Sequence, residues 1–560
     1  MWKTGTNLLK DTQSLHLGKY QNQVEKRLDR WVGQNFSHRI WAKDPSLWLS
    51  EQRSEITDRL GWLALPERMA ERCDEIMTFA RQIKEGGFAH VLLLGMGGSS
   101  LAPEVFQKIF GKTPGFPELL VLDSTHPDAI LDTESKLDIA QTLILVSSKS
   151  GTTLETLSLF RYFWARAAGV HDKPGRCFIA ITDAGSPLEK MAREKNFRRI
   201  FLPDPDVGGR YSALSEFGLV PAALVGIDIQ GLLHSAQIAS RNSRMPGAEE
   251  RSAGFILGAA LGELAGNRDK LTIWTSPQLD GFPVWLEQLI AESTGKMGKG
   301  IVPVVEEPEV QADNYGGDRV FAGIFLDDDP LDEWKSRFLA LTNSGHPTIR
   351  ISLKEKLDIG REIFHWELAT ASAGAVLGIH PFNQPDVQLA KDLTREAMEK
   401  DSRAAGPAKK SVEEVSIENE RACASAILGF LEKTAPCDYI AIQAYLPPTP
   451  EILRALQKLK KAFLLQTNLA TTMGFGPRFL HSTGQLHKGG PNSVLAIQVV
   501  DEPKHVLPIP GMGASFADIV EAQSRGDFYA LRKKRRRVLR ISLGKRVLEG
   551  LTKLESSILG

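Results

Sequence analysis

Apolar residues in the first part of the chain follow a helical spacing. In the segment LGKYQNQVEKRLDRWVGQNF they recur at intervals of three and four residues. The segment LPERMAERCDEIMTFARQIKEGG shows the same spacing and ends in two glycines, a typical helix stop. We therefore expect residues 1–85 to form an N-terminal helical segment.

From residue 88 the pattern changes to short, almost entirely apolar runs separated by helical stretches. The runs are AHVLLLGMG, ELLVLDS, QTLILVSS, RCFIAITD and RRIFLPD. Strands that are buried on both faces and connected by helices are typical of a parallel, doubly wound sheet. We expect a first α/β domain over residues 86–245.

The same alternation returns twice. The runs KLTIWTS, GIVPVVE, RVFAGIFLD and PTIRISL predict a second α/β domain over residues 246–405. The polar segment KDSRAAGPAKKSVEE, 400–414, is typical of a linker. The runs DYIAIQAYL, SVLAIQVVD and RVLRISLG then predict a smaller C-terminal α/β extension over residues 406–560. The expected fold class is α/β, with two doubly wound parallel-sheet domains between these flanking parts.

Charge and cysteine content narrow the function classes. The 68 basic and 68 acidic residues cancel, so nucleic acid is not an expected partner and any anion site must be local. The basic run RKKRRRVLR at 532–540 has no interleaved aromatic residues and predicts a solvated helix end. The four cysteines form no CxxC pair, so we expect neither a metal site nor a disulfide framework, and the reducing cytoplasm as the compartment. No signal-like or membrane-spanning apolar run is found, so no membrane partner is expected.

A glycine-rich loop follows the first apolar run of the first domain. In LLLGMGGSSLAPEVF, Gly95, Gly97 and Gly98 precede Ser99 and a predicted helix. Glycines allow tight turns and close approach, and a helix N-terminus presents free N–H groups to an anion. A role in packing alone is the simpler alternative.

A second alternative for this loop is a nicotinamide-cofactor fingerprint. Asp123, at the end of the next run, would then bind the ribose. That fingerprint requires a third glycine where Ser100 stands.

The segment SSKSGTTLET, 147–156, concentrates small donors between a strand and a helix. The donors are Ser148, Lys149, Ser150, Thr152 and Thr153. Capping the helix would require one such residue, whereas hydroxyls and backbone N–H groups together can surround a phosphate. We therefore favour an anion site over a simple helix cap.

Two further motifs carry charged groups among apolar neighbours. Arg210 follows two glycines in DVGGRYSALSEFGLVPAALVG, and burying it would require a carboxylate or an oxyanion nearby. Gln288 and Glu292 lie four residues apart on one predicted helix face, in VWLEQLIAESTGKMGKG. A structural ion pair for the arginine and a surface position for the glutamate are the alternatives.

Taken in this order, the four motifs resemble the phosphoglucose isomerase family, aldose–ketose isomerases of glucose 6-phosphate built from two sugar-isomerase (SIS) domains. Its patterns G-x-G-G-S, S-K-[ST]-x-T-T-x-E-[TP], G-G-R-[YF]-S and Q-x3-E-S-x-G-K match residues 95–99, 148–156, 208–212 and 288–296. The segment LGIHPFNQPDVQLAK resembles N-P-F-[DN]-Q-x-G-V-E-x-x-K, with His380 in place of asparagine and Asp386 in place of glycine.

The flanks RIWAKDPSLW and GFGPRFLHSTGQLHKGGPN are similar to the isomerase half of bifunctional transaldolase–phosphoglucose isomerases. A transaldolase barrel needs about 200 residues or more. We therefore expect no transaldolase activity in this chain.

The resemblance implies a reaction and roles for residues. A proton moves between C2 and C1 of an open-chain hexose phosphate through an enediolate, and no cofactor is needed. Glu292 would be the base beside Gln288, Arg210 would stabilise the oxyanion, and Lys391 would assist ring opening. The remaining matched positions would bind the phosphate: Gly98, Ser99, Ser148, Lys149, Ser150, Thr152 and Thr153.

The resemblance also implies a ring-opening histidine from a neighbouring subunit, and hence a homodimer. No histidine here matches the family's surrounding motif. His346 lies nearest in chain order and ranks first, with His481 and His487 as rivals.

Two other function classes remain open. A non-catalytic sugar-phosphate sensor would use the same domains, and a nicotinamide-dependent oxidoreductase would use the glycine loop. For an isomerase, mannose 6-phosphate is a candidate for a further substrate.

Overall fold

Three sheets of mainly parallel strands, each flanked by helices, form the frame of the computed structural model, which describes residues 8–10, 12–49, 51, 55–244, 251–330, 332–403 and 413–559. The α/β fold class expected from the apolar runs is confirmed. Most of the predicted linker, residues 404–412, lies outside the described residues.

The N-terminal segment contains both strands and helices. Two short strands, β1 (Leu8–Lys10) and β2 (Gln13–His16), precede helices α1 (Gln21–Gly33), α2 (Phe36–Trp41) and α3 (Leu65–Glu85). The helical prediction holds for the two long apolar segments but missed the strands. Strands of three and four residues are too short to give a periodic signal.

The first sheet has five parallel strands in the order β4-β3-β5-β6-β7. All five predicted apolar runs form strands. The strands are β3 (His90–Leu94), β4 (Glu118–Leu122), β5 (Thr142–Ser147), β6 (Phe178–Ile181) and β7 (Arg199–Phe201). The helices are α4 (Leu101–Phe110), α5 (Pro127–Ser135), α6 (Leu154–Ala168), α7 (Pro187–Glu194), α8 (Glu216–Leu224) and α9 (Ile229–Asn242).

The strand order of this sheet reverses between β3 and β5. In doubly wound sheets, ligands bind outside the carboxyl ends of the strands at such a reversal. The glycine loop follows β3 and the hydroxyl-rich loop follows β5, so the topology places both motifs side by side at this point.

The second sheet has four parallel strands extended by the N-terminal pair, in the order β1-β2-β11-β10-β8-β9. Its strands are β8 (Lys270–Thr275), β9 (Val302–Val305), β10 (Arg319–Leu326) and β11 (Thr348–Leu353). The helices are α10 (Ala253–Leu264), α11 (Phe282–Thr294), α12 (Asp332–Asn343), α13 (Ile359–Leu377) and α14 (Val387–Arg403). Strand β2 runs antiparallel to β11, with the fully buried Leu15 opposite Ile349.

The third sheet is all parallel, in the order β12-β16-β15-β13-β14. With five strands it is as large as the first sheet, although a smaller unit was expected. Its strands are β12 (Val415–Ser416), β13 (Tyr439–Tyr445), β14 (Ala470–Phe475), β15 (Val494–Val500) and β16 (Arg537–Ser542). The helices are α15 (Glu420–Leu431), α16 (Pro450–Thr467), α17 (Gly484–Gly489), α18 (Phe516–Lys533) and α19 (Val547–Leu559).

One hydrophobic cluster joins the N-terminal helices to the first two sheets, and the C-terminal unit, residues 413–559, has a core of its own. A smaller cluster, which includes Ala291 and Leu486, joins α11 to α17. A Cβ on Gly295 would lie 2.4 Å from the Leu486 Cα, so glycine is required for this close approach. Among the described residues, no helix is long and apolar enough to span a membrane.

Candidate active site

The glycine loop after β3 packs directly against the loop that carries Arg210. A Cβ added to Gly98 would lie 2.1 Å from the Gly209 carbonyl oxygen, so no larger residue fits there. Gly97 has a φ of 55°, and a Cβ on it would lie 2.7 Å from the Gln288 amide nitrogen. Ser99 is buried in the same turn. The tight packing brings the Arg210 loop to the carboxyl end of β3.

Glu292 lies on the buried face of α11 and pairs with Arg210. The Glu292 Oε1 lies 3.0 Å from the Arg210 Nη1, and the Gln288 amide donates to the other Glu292 oxygen at 3.3 Å. Both partners of the ion pair have side chains at most 10% exposed. The structure thus brings Gln288 and Glu292 together across one helical turn, as their spacing predicts, and adds the arginine.

Arg210 also fixes the segment that follows α13. Its Nη2 donates to the carbonyl oxygens of Pro381 at 3.1 Å and Asn383 at 3.0 Å, and its Nη1 donates to the Gln384 Oε1 at 2.9 Å. Its Nε donates to the Ser293 hydroxyl at 3.1 Å. A buried guanidinium with all these partners holds its own loop, helix α11 and the segment 381–384 in one geometry.

The hydroxyl-rich loop after β5 is bonded internally. The Ser148 and Thr153 hydroxyls are 3.0 Å apart, those of Ser150 and Thr152 are 2.9 Å apart, and the Gly151 N–H donates to the Ser148 hydroxyl. Thr153 is the N-cap of α6, and within the described structure its side chain makes no capping hydrogen bond. The simple-cap alternative therefore does not account for this hydroxyl.

Lys149 points away from the other residues of that loop. Its Nζ lies 2.8 Å from an Asp183 carboxylate oxygen and donates to the Pro205 carbonyl at 3.2 Å. Unlike Ser150, Thr152 and Thr153, it is not among the residues that line the adjoining cavity. The structure therefore assigns this lysine a partner within the protein.

A cavity of about 700 Å³ opens at the start of α6. Its walls include Ser150, Thr152, Thr153, Lys391 of α14 and His481 of the C-terminal unit. A pocket of this size suits a small ligand. Hydroxyls and a helix N-terminus on one side and an exposed lysine on another make the cavity suited to an anion.

Glu292, Arg210 and Gln288 are not among the residues that line this cavity. The connection is His481, whose backbone carbonyl accepts a hydrogen bond of 2.6 Å from the Gln288 amide. The buried carboxylate and the anion cavity therefore meet at one histidine.

The imidazole of His481 is held by a chain of buried polar groups. Its Nε2 lies 2.9 Å from the Glu155 Oε1, which also accepts from the Gln523 amide at 2.8 Å. The Gln523 oxygen accepts in turn from the Thr125 hydroxyl at 2.8 Å. Burial alone would raise the pKa of Glu155, but the charge and hydrogen bond of His481 outweigh it, so that pKa lies below its usual value.

The structure places His346 outside this site. It is buried against Phe321 and Tyr315, and its Nε2 lies 3.2 Å from the Ala312 carbonyl oxygen. Burial lowers its pKa, which favours the neutral ring. Within one chain the structure therefore brings His481, and not His346, to the cavity, because proximity in chain order does not carry over to the fold.

The other rival, His487, is also structural. It is buried within hydrogen-bonding distance of the Gln443 amide, at 3.1 Å, and burial lowers its pKa to about 3. Asp123, the candidate ribose acid, is already engaged, since it accepts from the Ser100 hydroxyl and pairs with Arg478, both at 3.1 Å. The glycine loop therefore offers no free carboxylate for a cofactor ribose at this position.

Four residues close to the site were not predicted: Glu155, Gln384, Lys296 and Gln523. Glu155 is the glutamate of the motif matched at residues 148–156, and this match is the signal that could have identified it. Lys296 is buried and donates to the carbonyls of Ser293 and His380, and burial together with Arg210 holds its pKa well below the usual range. Gln523 carries no local signal, because its role depends on the docking of α18.

Known proteins resemble this chain over most of its length. The family model described as phosphoglucose isomerase matches residues 63–310. A glucose-6-phosphate isomerase of Staphylococcus saprophyticus is 28% identical over 386 residues, which cover 60% of this chain and 86% of the relative.

Two solved structures are also similar. A hypothetical protein from Thermus thermophilus is 26% identical with a TM-score of 0.59, over 70% of this chain and 100% of the other. A glucose-6-phosphate isomerase from Chlamydia trachomatis, 18% identical with a TM-score of 0.60, covers 71% of this chain and 90% of its own. At that identity it supports the fold alone.

Proposed function

Because the chain belongs to the phosphoglucose isomerase family, we propose that it is a glucose-6-phosphate isomerase, interconverting D-glucose 6-phosphate and D-fructose 6-phosphate. The observation that carries the proposal is the position of Glu292. This buried carboxylate lies 3.0 Å from Arg210 and is joined through Gln288 to the wall of an anion cavity. A sensor that only binds sugar phosphates would not need a carboxylate and a guanidinium paired in this way.

Ring opening is the first step. The bond between C1 and the ring oxygen breaks, one proton leaves the C1 hydroxyl, and one proton is added to the ring oxygen. His481 and Lys391 line the same cavity, so we assign this proton exchange to them.

Glu292 then acts as the base for the isomerisation. It removes the proton from C2, a double bond forms between C1 and C2, and the former carbonyl oxygen becomes an enediolate oxyanion that Arg210 stabilises. Glu292 returns the proton to C1 while the hydroxyl proton of O2 passes to O1. The two isomers differ only in the positions of these hydrogens, so no redox partner is required.

The phosphate is the anchor of the substrate. We assign it to the start of α6, where Ser150, Thr152 and Thr153 line the cavity, supported by the Ser148 hydroxyl and the N–H groups of the loop. Gly98 and Ser99 would act from the neighbouring loop. We propose that Lys149 supports the loop through Asp183 and does not contact the phosphate directly.

The proposal also includes a compartment, an oligomeric state and a candidate second substrate. The cysteine content favours the cytoplasm, and the family resemblance favours a homodimer. Mannose 6-phosphate would give the same planar enediolate at C2, so turnover of this epimer tests the breadth of the substrate range.

The substitution Glu292→Gln tests the proposal. We expect kcat to fall by at least about 10³-fold, within the contribution of a positioned base, with unchanged affinity for the unreactive open-chain sorbitol 6-phosphate. A coupled assay with fructose 6-phosphate measures kcat, and calorimetry measures affinity. Glu263→Gln, at a remote pair with Arg27, is the matched control.

The outcomes separate the three function classes. Normal turnover by Glu292→Gln would remove the glutamate from the mechanism. A wild-type protein that binds sorbitol 6-phosphate without turning over fructose 6-phosphate would indicate a sensor. Fluorescence titration showing tight NAD binding would favour the oxidoreductase.

A further inference from the structure

His481 is carried by the C-terminal unit, yet both of its ends are fixed to the other two domains of the same chain. It lies in the connection between β14 and α17. Its imidazole bonds Glu155 of α6 in the first domain, and its carbonyl accepts from Gln288 of α11 in the second. One residue of the C-terminal unit therefore occupies the junction between the phosphate loop and the candidate base.

The segment that carries His481 is anchored by buried charges on one side. Arg478 pairs with Asp123 at 3.1 Å and also pairs with Glu104. Burial alone would raise the pKa of Glu104, but Arg478 and then Lys108 outweigh it and lower that pKa to about 2. These contacts attach the segment firmly to the first domain.

The other side of the segment is anchored to the second domain through α17. The Gln485 amide donates to the Gly295 carbonyl at 2.9 Å and to the Asp386 carboxylate at 2.8 Å, while its oxygen accepts from the Asp386 N–H. Asp386 also pairs with Lys534 of the C-terminal unit. The phosphoglucose isomerase motif has glycine at this position. The replacement of that glycine by Asp386 therefore coincides with a contact to the C-terminal unit.

A third contact joins the C-terminal unit to the partner of the His481 imidazole. Gln523 of α18 donates to Glu155, the same carboxylate that holds the His481 imidazole. Helix α18 also packs closely on α14, since a Cβ on Gly526 would lie 2.4 Å from the Thr394 hydroxyl. The C-terminal unit therefore supplies both the histidine and part of its support.

We propose that the C-terminal unit supplies the ring-opening histidine from within the same chain, so that each site is complete without a residue from a second copy. The inference rests on the proposed isomerase function. A histidine from a neighbouring subunit would have to enter a position that His481 already occupies, in contact with both Glu155 and Gln288. A dimer is compatible with this arrangement, but its interface is not needed to build the site.

Mixing two inactive variants tests the proposal. Glu292→Gln and His481→Gln chains with different affinity tags are co-expressed, and assemblies carrying both tags are purified. With the histidine supplied within each chain, no hybrid site is intact, so activity stays at the level of the two parents. With the histidine supplied by the partner, one of the two sites of a dimer is intact, and about half of the wild-type kcat returns.

The oligomeric state and the turnover of His481→Gln alone also test the proposal. If light scattering shows a monomer with full kcat at assay concentration, the histidine is supplied within the chain. His234→Gln, at an exposed position of α9, is the matched control. If His481→Gln retains the same full turnover as this control, the assignment of His481 is overturned.

The proposed function can fail separately. A folded wild-type protein without turnover of fructose 6-phosphate overturns the isomerase itself, and this inference with it. If the wild type is active and the hybrid assemblies regain activity, only the inference that the histidine comes from the same chain is overturned.

Discussion

The hydroxyl-rich loop and the Arg210–Glu292–His481 cluster are neighbours, but they are built in opposite ways. The loop is made of consecutive residues, 147–156, in which the hydroxyl of Ser148 bonds that of Thr153 and the hydroxyl of Ser150 bonds that of Thr152. The cluster draws on five separate parts of the chain and depends on contacts between loops and helices of all three α/β units. A site for an anion can thus be built locally, whereas the acid–base groups need the assembled tertiary structure.

After Glu292→Gln, the largest effect is expected from the cluster at Arg210. Arg210→Ala should lower kcat by about 10²–10³-fold, as for loss of one preorganised oxyanion donor. Arg210→Lys should recover little, because an ammonium cannot reproduce the guanidinium contacts with Pro381, Asn383 and Gln384. Steady-state kinetics on folded protein measure both.

Arg166→Ala, at a surface pair with Glu134, is the control for Arg210. An unchanged kcat in Arg210→Ala would show that the arginine only joins loops, and the cluster would then resemble a structural network.

A smaller effect on turnover is expected at Glu155, which joins the cluster to the start of α6. Glu155→Gln should lower kcat by about 10²-fold, near the lower end of what positioned acid–base groups contribute, because His481 loses its anionic partner. KM should change little, and the pH profile of kcat should shift. An equal loss of kcat at every pH would indicate a merely structural role.

The same substitution carries a pH signature in stability. The pKa of Glu155 lies below its ordinary value in the folded protein, because His481 outweighs burial. The carboxylate therefore contributes stability that is present above the unfolded pKa and is lost as pH falls through the folded pKa. Urea unfolding should show the wild type exceeding Glu155→Gln at about pH 6, with the gap shrinking toward about pH 3.5. A gap that widens on acidification would contradict the direction of this shift.

A still smaller effect is expected in the loop, and on KM. Thr152→Val and Ser150→Ala should each raise KM for fructose 6-phosphate by about tenfold, as for the weaker hydrogen bonds to a charged group. The effect on kcat should be minor, because the phosphate does not react. Ser135→Ala on the exposed end of α5 is the control. Should kcat fall and KM stay constant, the division between the two regions would not hold.

The smallest effect is expected at Lys149. Its partly exposed pair with Asp183 should contribute about 1 kcal/mol or less to the free energy of unfolding. Lys149→Met should lower the free energy of unfolding by that amount and leave KM within about twofold. Asp183→Asn should show the same loss of stability, and the double variant should lose no more than either single variant. A large rise in KM in Lys149→Met alone would place this lysine on the phosphate.

Much of the architecture follows from local pattern. Each apolar run of the first domain forms a strand, and the spacing of Gln288 and Glu292 places both on one face of α11. The loops at residues 95–99 and 148–153 each follow a predicted strand, although the pairing of β3 with β5, which places them side by side, is a tertiary contact. Strand burial, helical spacing and turn chemistry are properties of neighbouring residues, and so they can be inferred without a fold.

Only the tertiary structure decided which histidine lies at the site, where Lys149 points, and that β1 and β2 extend the second sheet. His481 reaches Glu155 across 326 positions of the chain, and Gln523 reaches it across 368. Such contacts leave no periodic signal, since either partner alone has the composition of an ordinary loop or helix. The free energy that places them comes from docking one folded unit on another.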